Sequence, residues 1–260
     1  METIHPPPSE EVLTAWRHVD NAPVFRHAPK PFITVTGADE KTDVASLSDL
    51  NAEIGFLFTA TPEGRNRYPR WEWIREASLA VKRAALHVCG RDARNLIAAG
   101  ELPVSGFQRI QINGGILANE VERICAMYPR HTIITQHHVN NAHLLFVKAL
   151  NHAVLIDGSG GCGVSPDAWA PPLTEKHVGF AGGLGPANLT SELGKIQTVA
   201  RPGWWADMEN KLRVDDFFSI ELAAQCVEQF HSSTLPGLPG PGETKINFPD
   251  SKALPQRANP

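Results

Sequence analysis

From residue 31 to about residue 231, short apolar runs alternate with longer stretches in which apolar residues recur every third or fourth position. Parallel strands and their crossover helices leave that pattern. The runs that read as strands are FITVT from Phe32, IGFLF from Ile54, AALHVC from Ala84, FQRIQI from Phe107, TIITQ from Thr132, AVLID from Ala153, VGFAG from Val178 and WWADM from Trp204. Between them WIREASLAVKRA, GILANEVERICAMY and NAHLLFVKAL carry helical spacing with charges on the opposite face, and FFSIELAAQCVEQF closes the series. Strands and helices alternating in this way predict an α/β architecture closed as a (β/α)8 TIM barrel.

A parallel strand covered on both faces is apolar along its length, but its C-terminal end opens onto loops and tolerates polar residues. Several runs end so. Asp157 follows Leu155 and Ile156, Cys89 follows Val88, and Gln111 and Asn113 follow Ile110. Their polar groups converge on one rim, the end of a β/α barrel that carries active sites. The plainer reading of each is a strand terminus that caps the next helix.

The flanks lack this periodicity. Residues 1–30 carry several prolines and at most a helical turn near EVLTAWRHV, so they read as an N-terminal arm on a barrel spanning 31–231. Residues 232–260 are rich in proline and glycine with no apolar period, which predicts a flexible tail. A total of 260 residues fits one barrel of about 250. The net charge of -4 gives no long-range attraction for nucleic acid or an anionic membrane, and both drop out as partners. No run reaches the roughly 18 apolar residues of a membrane span, and METIHPPPSEE lacks the apolar stretch of a signal peptide. Cys89, Cys125, Cys162 and Cys226 are too widely spaced for a zinc site or a disulfide framework. Reduced thiols and a cytoplasmic location are expected.

Two glycine-rich stretches carry the chemistry. In VLIDGSGGCGVSPDAW an apolar strand ends in Asp157 and runs into a loop containing Gly161 and Gly163. In FAGGLGPANL a strand runs into Gly182 and Gly183, with a helix expected to open near Pro186. Glycines let backbone N–H groups approach an anion, and a helix N-terminus aimed at the same point favours a phosphate.

Together these stretches resemble the phosphoribosylanthranilate isomerase family, whose sixth strand ends L-L-D before G-G-T-G and whose seventh reads A-G-G-L-x-P-x-N-V. IGFLF with RNRYP is similar to the second-strand G-F-I-F and S-P-R-Y, and RIQINGG to the fourth-strand V-Q-L-H-G. The likeness runs from about Pro31 to Phe230. It implies an Amadori rearrangement of a phosphorylated aminoaldose to an aminoketose, by proton transfers and with no cofactor. Asp157 takes the position of the acid, and Arg67 that of the arginine facing the ring carboxylate. Gln111 and Asn113 fall on the substrate wall. Where the family has K-I-C-G this chain has Thr34, Val35, Thr36 and Gly37, so Thr36 fills the place of the basic cysteine. Cys162 replaces the loop threonine, and Glu209, Asn210 and Lys211 replace the eighth-strand S-S-G, which puts Asn210 and Lys211 in the phosphate clamp.

Two residues are candidates for the missing base. Cys89 would be favoured as a thiolate if His87 and Arg91 lie close. Asp207, facing Asp157 in a poorly solvated pocket, would have its pKa pushed apart from its partner's. Adjacent His137 and His138 at a strand end point in opposite directions, so the histidines do not suggest a catalytic metal. Lys41 to Asp43 reads as a helix start, and RVDD near Arg213 as a solvated loop. The leading function is an isomerase acting on a small phosphorylated sugar, as a monomer or homodimer. A non-catalytic sugar-phosphate-binding barrel is one alternative, and a hydrolase or lyase on a phosphorylated glycoside is another.

Overall fold

The computed structural model describes residues 30–62, 64–158 and 163–233. The expected arm and tail lie outside these, apart from Lys30, Ser232 and Ser233. Eight parallel strands form a closed barrel in sequential order. They are β1 (Phe32–Thr36), β2 (Glu53–Phe58), β3 (Ala84–Val88), β4 (Arg109–Ile112), β5 (Thr132–His137), β6 (His152–Asp157), β7 (Val178–Ala181) and β8 (Trp205–Met208). The seam closes through β1 on β8, with Phe32 beside Trp205 and Thr34 beside Asp207.

Among the described residues six α-helices pack outside: α1 (Val44–Asp49), α2 (Trp71–Ala80), α3 (Arg91–Ala99), α4 (Ala118–Met127), α5 (Leu189–Val199) and α6 (Ile220–Ser232). The helix start at Lys41 to Asp43 is borne out, since the Asp43 carboxylate accepts from the Ser46 N–H at 3.0 Å and caps α1. The stretch NAHLLFVKAL differs from expectation. It contributes to a 3-10 helix, Val139–Phe146, broken at Asn141, whose backbone leaves helical angles. The Asn141 amide bonds the Gln136 carbonyl and the His138 N–H, and this local competition takes the turn away from an α-helix. Among the described residues β6 leads to β7 without a helix; there Trp169 is buried, donating to Glu192 of α5 at 2.8 Å and meeting Phe180 edge-on.

The RVDD stretch is corrected from a solvated loop to a hairpin. Arg213–Val214 (β9) pairs antiparallel with Phe217–Phe218 (β10), and Asp215 and Asp216 take positive φ at the turn. The Arg213 side chain is only 4% exposed; it donates to the Gly37 carbonyl at 2.7 Å and pairs with Asp39 at 3.2 Å. It thereby ties the hairpin to the loop after β1.

Inside the barrel, Phe32, Ile134, Ala153, Leu155 and Trp205 form an apolar layer. Gly179 makes room for Trp205, because a Cβ there would lie 2.1 Å from the indole. Polar residues share this interior. Glu53 pairs with Arg109 at 2.8 Å and accepts from Thr34 at 2.9 Å, while the Arg109 guanidinium lies 4.0 Å from the Trp205 ring centroid. Among the described residues no helix is long and apolar enough to cross a membrane.

Candidate active site

At the C-terminal ends of the strands a cavity opens to solvent. Alternation along each strand decides which side chains enter it. In register, Asp157 of β6 lies beside Ala181 of β7, and Ala181 beside Asp207 of β8. The two carboxylates therefore stand at one level on either side of β7, and both line the cavity.

Asp207 is 7% exposed. Burial pushes its carboxyl up to about 7, and the nearby charges of Glu53 and Asp157 act in the same direction, against the Thr36 hydrogen bond and the Arg109 charge. Thr36 Oγ1 donates to Asp207 Oδ1 at 2.7 Å. His87 Nδ1 lies 4.0 Å from Asp207 Oδ2, but burial pushes the imidazole down to about 3, so the contact is not an ion pair near neutrality.

Next to this pair runs a chain of neutral groups. Gln111 Nε2 faces His87 Nδ1 at 3.3 Å and donates to Asn113 Oδ1 at 3.0 Å; Asn113 Nδ2 donates to Cys89 Sγ at 3.3 Å. Because the Gln111 amide nitrogen carries only hydrogens, His87 Nδ1 is the acceptor and the ring proton sits on Nε2. The thiolate expected at Cys89 is not favoured. His87 is neutral, Arg91 is exposed, and burial pushes the thiol up to about 11.

A glycine-lined concavity lies on the β7–β8 side. Gly163 and Gly183 hold positive φ, and a Cβ on Gly183 would sit 2.6 Å from the Ser165 nitrogen and 2.8 Å from the Gly163 carbonyl oxygen. Ser165 Oγ donates to the Gly182 carbonyl at 3.1 Å, and Asn188 Nδ2 donates to Ser165 Oγ and to the Gly183 carbonyl, each at 3.0 Å. Asn188 precedes α5, and the turn that opens this helix begins at Gly185–Pro186 as expected, the Leu189 N–H donating to the Gly185 carbonyl at 2.9 Å. Asn210 and Lys211 close the opposite lip, both lining the cavity with Gly163, Gly182 and Gly183. Gly161 and Cys162 lie outside the described residues.

Arg67 stands behind the rim of the cavity: its guanidinium donates to Glu209 at 3.1 Å and Asn210 at 3.2 Å, both of which line the cavity, and to Asp216 at 3.2 Å. Burial raises the Glu209 carboxyl above its ordinary range, with Arg67 opposing. Gln136, Ser165 and Asn188 were not singled out from the sequence, although the alternation in TIITQ turns Gln136 inward. Among the described residues, no group of three or more His, Cys, Asp or Glu side chains could hold a metal ion.

The site is thus the polar rim of a closed eight-stranded parallel β/α barrel, with paired carboxyls beside a glycine-built cradle. No family model and no curated protein matches the sequence. Solved structures do match the fold. Phosphoribosyl anthranilate isomerase from Thermus thermophilus aligns at a TM-score of 0.57 and 20% identity, over 77% of this chain and 98% of that one. TrpF from Jonesia denitrificans aligns at 0.58 and 18% over 79% and 98%, and the monomeric form of the dimeric isomerase from Thermotoga maritima at 0.55 and 18% over 77% and 98%. The chain has the barrel fold of the phosphoribosylanthranilate isomerases.

Proposed function

We propose that this barrel isomerises a phosphoribosyl-amine or a related sugar phosphate from aldose to ketose, with Asp157 and Asp207 moving the protons. The observation that carries the reading is the carboxyl pair flanking Ala181, with Asp207 pushed up to about 7, beside the cradle of Gly163, Gly182, Gly183 and Lys211. A carboxyl titrating near neutrality gives and takes protons with little driving-force penalty. Asp157 gives its proton to the ring oxygen as the C1–O bond opens, leaving an iminium. Asp207 then removes the C2 proton, and the resulting enolamine ketonises: C1 gains a proton and the C2 hydroxyl becomes the carbonyl. No atom is lost or gained overall. Asp207 thus does the work that the resemblance assigns to a cysteine at the position of Thr36, and Thr36 holds it in place.

The test is to incubate the protein with N-substituted 5-phosphoribosylamines in D2O and follow ketose formation by NMR. Deuterium at C1 of an aminoketose is the expected result, absent for Asp207→Asn. A protein that binds ribulose 5-phosphate but forms no ketose from any of them supports the second reading, a sugar-phosphate-binding barrel. The absence of a thiol on β1 favours that reading.

A further inference from the structure

The cavity divides by charge. Its β6–β8 side holds the anion cradle, Lys211 and the carboxyls of Asp157, Asp207 and Glu209. Its β3–β5 side is lined by His87, Gln111, Asn113 and Gln136, all neutral: three amides and an imidazole whose proton sits on Nε2. Among the described lining residues Lys211 is the only cation, and it stands on the lip of the cradle, within the part assigned to the phosphate under the reading above. The nearby arginines do not line the cavity. Arg67 is shared among Glu209, Asn210 and Asp216; Arg94 donates to the Asn113 carbonyl at 2.9 Å; Arg109 is paired with Glu53 beneath the rim.

A ligand whose phosphate sits in the cradle and whose C1 and C2 meet the two carboxyls extends its remaining substituent over the neutral wall. A carboxylate there would lose its hydration to amides and carbonyls, with no cation among the described lining residues to replace the water and with three acidic side chains across the cavity. An uncharged group with both donor and acceptor atoms would instead match the Gln136 amide, which offers both, and the Gln111 carbonyl oxygen, the Gln111 N–H groups being used by His87 and Asn113. Resting on the sugar-phosphate reading above, we infer that the group carried on the sugar is an uncharged, amide-bearing one rather than an anionic one. Gln111 and Gln136 set this selectivity, and Arg67 is withheld from it by Glu209 and Asp216.

The test uses ribulose 5-phosphate and two reduced N-aryl analogues of 1-amino-1-deoxyribulose 5-phosphate, identical except for an ortho carboxamide or an ortho carboxylate. Calorimetry on the full chain is expected to give at least about tenfold tighter binding of the carboxamide than of the carboxylate, since one good buried hydrogen bond against an unpaired charge is worth that much or more. Gln136→Leu, at the half-buried rim, and Gln111→Leu are each expected to shrink this ratio, and Glu209→Gln, by releasing Arg67, to shift it towards the carboxylate. Equal or tighter binding of the carboxylate by the unaltered protein overturns the inference. So does binding of ribulose 5-phosphate with no gain for either analogue, an outcome that leaves the sugar-phosphate reading standing. Failure to bind ribulose 5-phosphate itself removes that reading and the inference with it.

Discussion

Thr36 Oγ1 donates to Asp207 Oδ1 at 2.7 Å across the seam where β1 closes the barrel on β8. The threonine sits over Gly55 of β2, where a Cβ would lie 2.2 Å from its hydroxyl oxygen. A bare glycine on one strand, a threonine on the next and a carboxylate on the third therefore form one unit. It fixes the carboxyl most strongly perturbed by burial at the level of Asp157.

Asp207 makes stability depend on pH. Its folded carboxyl titrates near 7 against an ordinary 3.8. Between about pH 4 and pH 7 the folded state binds more protons than the unfolded state, so its contribution to stability is present at the acid end and lost as pH rises through that window. Asp207→Asn removes the ionisation and keeps an acceptor for Thr36. The variant is expected to gain in melting temperature over the parent as pH is raised from 4 to 8, and to lose about 10²-fold or more in turnover. A constant difference in melting temperature across this range would mean that Asp207 is not perturbed by burial.

Thr36→Val removes a hydrogen bond that favours the carboxylate, which leaves Asp207 harder to ionise. The acid limb of kcat/KM is expected to move to higher pH by up to about one unit, the worth of one hydrogen bond, while Thr36→Ser keeps the parental profile. A lower rate with the limb unmoved in Thr36→Val would make the residue a packing element only.

Much of this rim is legible in the sequence because strand alternation is local. Asp157, Gln111 and Asn113 each end an apolar run, and Gly182 and Gly183 follow one, so a reading of neighbouring residues suffices to bring them to the same end of the barrel. The pairing of Thr36 with Asp207 spans 171 positions and depends on closure, which no local pattern encodes. The capture of Arg67 by Glu209, Asn210 and Asp216 depends on how two loops fold over one another, and the hairpin that brings Asp216 there hides in the short run RVDDFF. The surroundings of Cys89 are hidden for a similar reason: its neighbours in sequence include His87 and Arg91, but burial makes the first neutral and leaves the second exposed.

The glycine cradle is tested by contrasting two glycines. Gly183→Ala would force a residue at φ +58° into contacts of 2.6 Å with the Ser165 nitrogen and 2.8 Å with the Gly163 oxygen, and it is expected to weaken inorganic phosphate binding by about tenfold or more. Gly194→Ala, within α5 and with nothing within 4 Å of the added carbon, is expected to keep phosphate binding and to raise stability by up to about 1 kcal/mol. Calorimetric titration with phosphate and thermal unfolding check both. Unchanged phosphate affinity in Gly183→Ala would move the anion site away from this loop.

Asp157→Asn separates the two halves of the proposed reaction. Asp157 ends β6, 8% exposed as a residue and level with Asp207, and it is offered as the donor to the ring oxygen. Asparagine keeps the shape and part of the hydrogen bonding but gives up no proton, so ring opening slows while the anion cradle is untouched. Turnover on a phosphoribosylamine is expected to fall by about 10²-fold or more, with ribulose 5-phosphate affinity changed by less than about threefold. An open-chain aldimine analogue, which needs no ring opening, should still exchange its C2 proton with solvent deuterium in Asp157→Asn and fail to do so in Asp207→Asn. Equal loss of exchange in both variants would show that the carboxyls act as one unit. Parental turnover in Asp157→Asn would remove the acid from the mechanism and leave Asp207 to serve both steps.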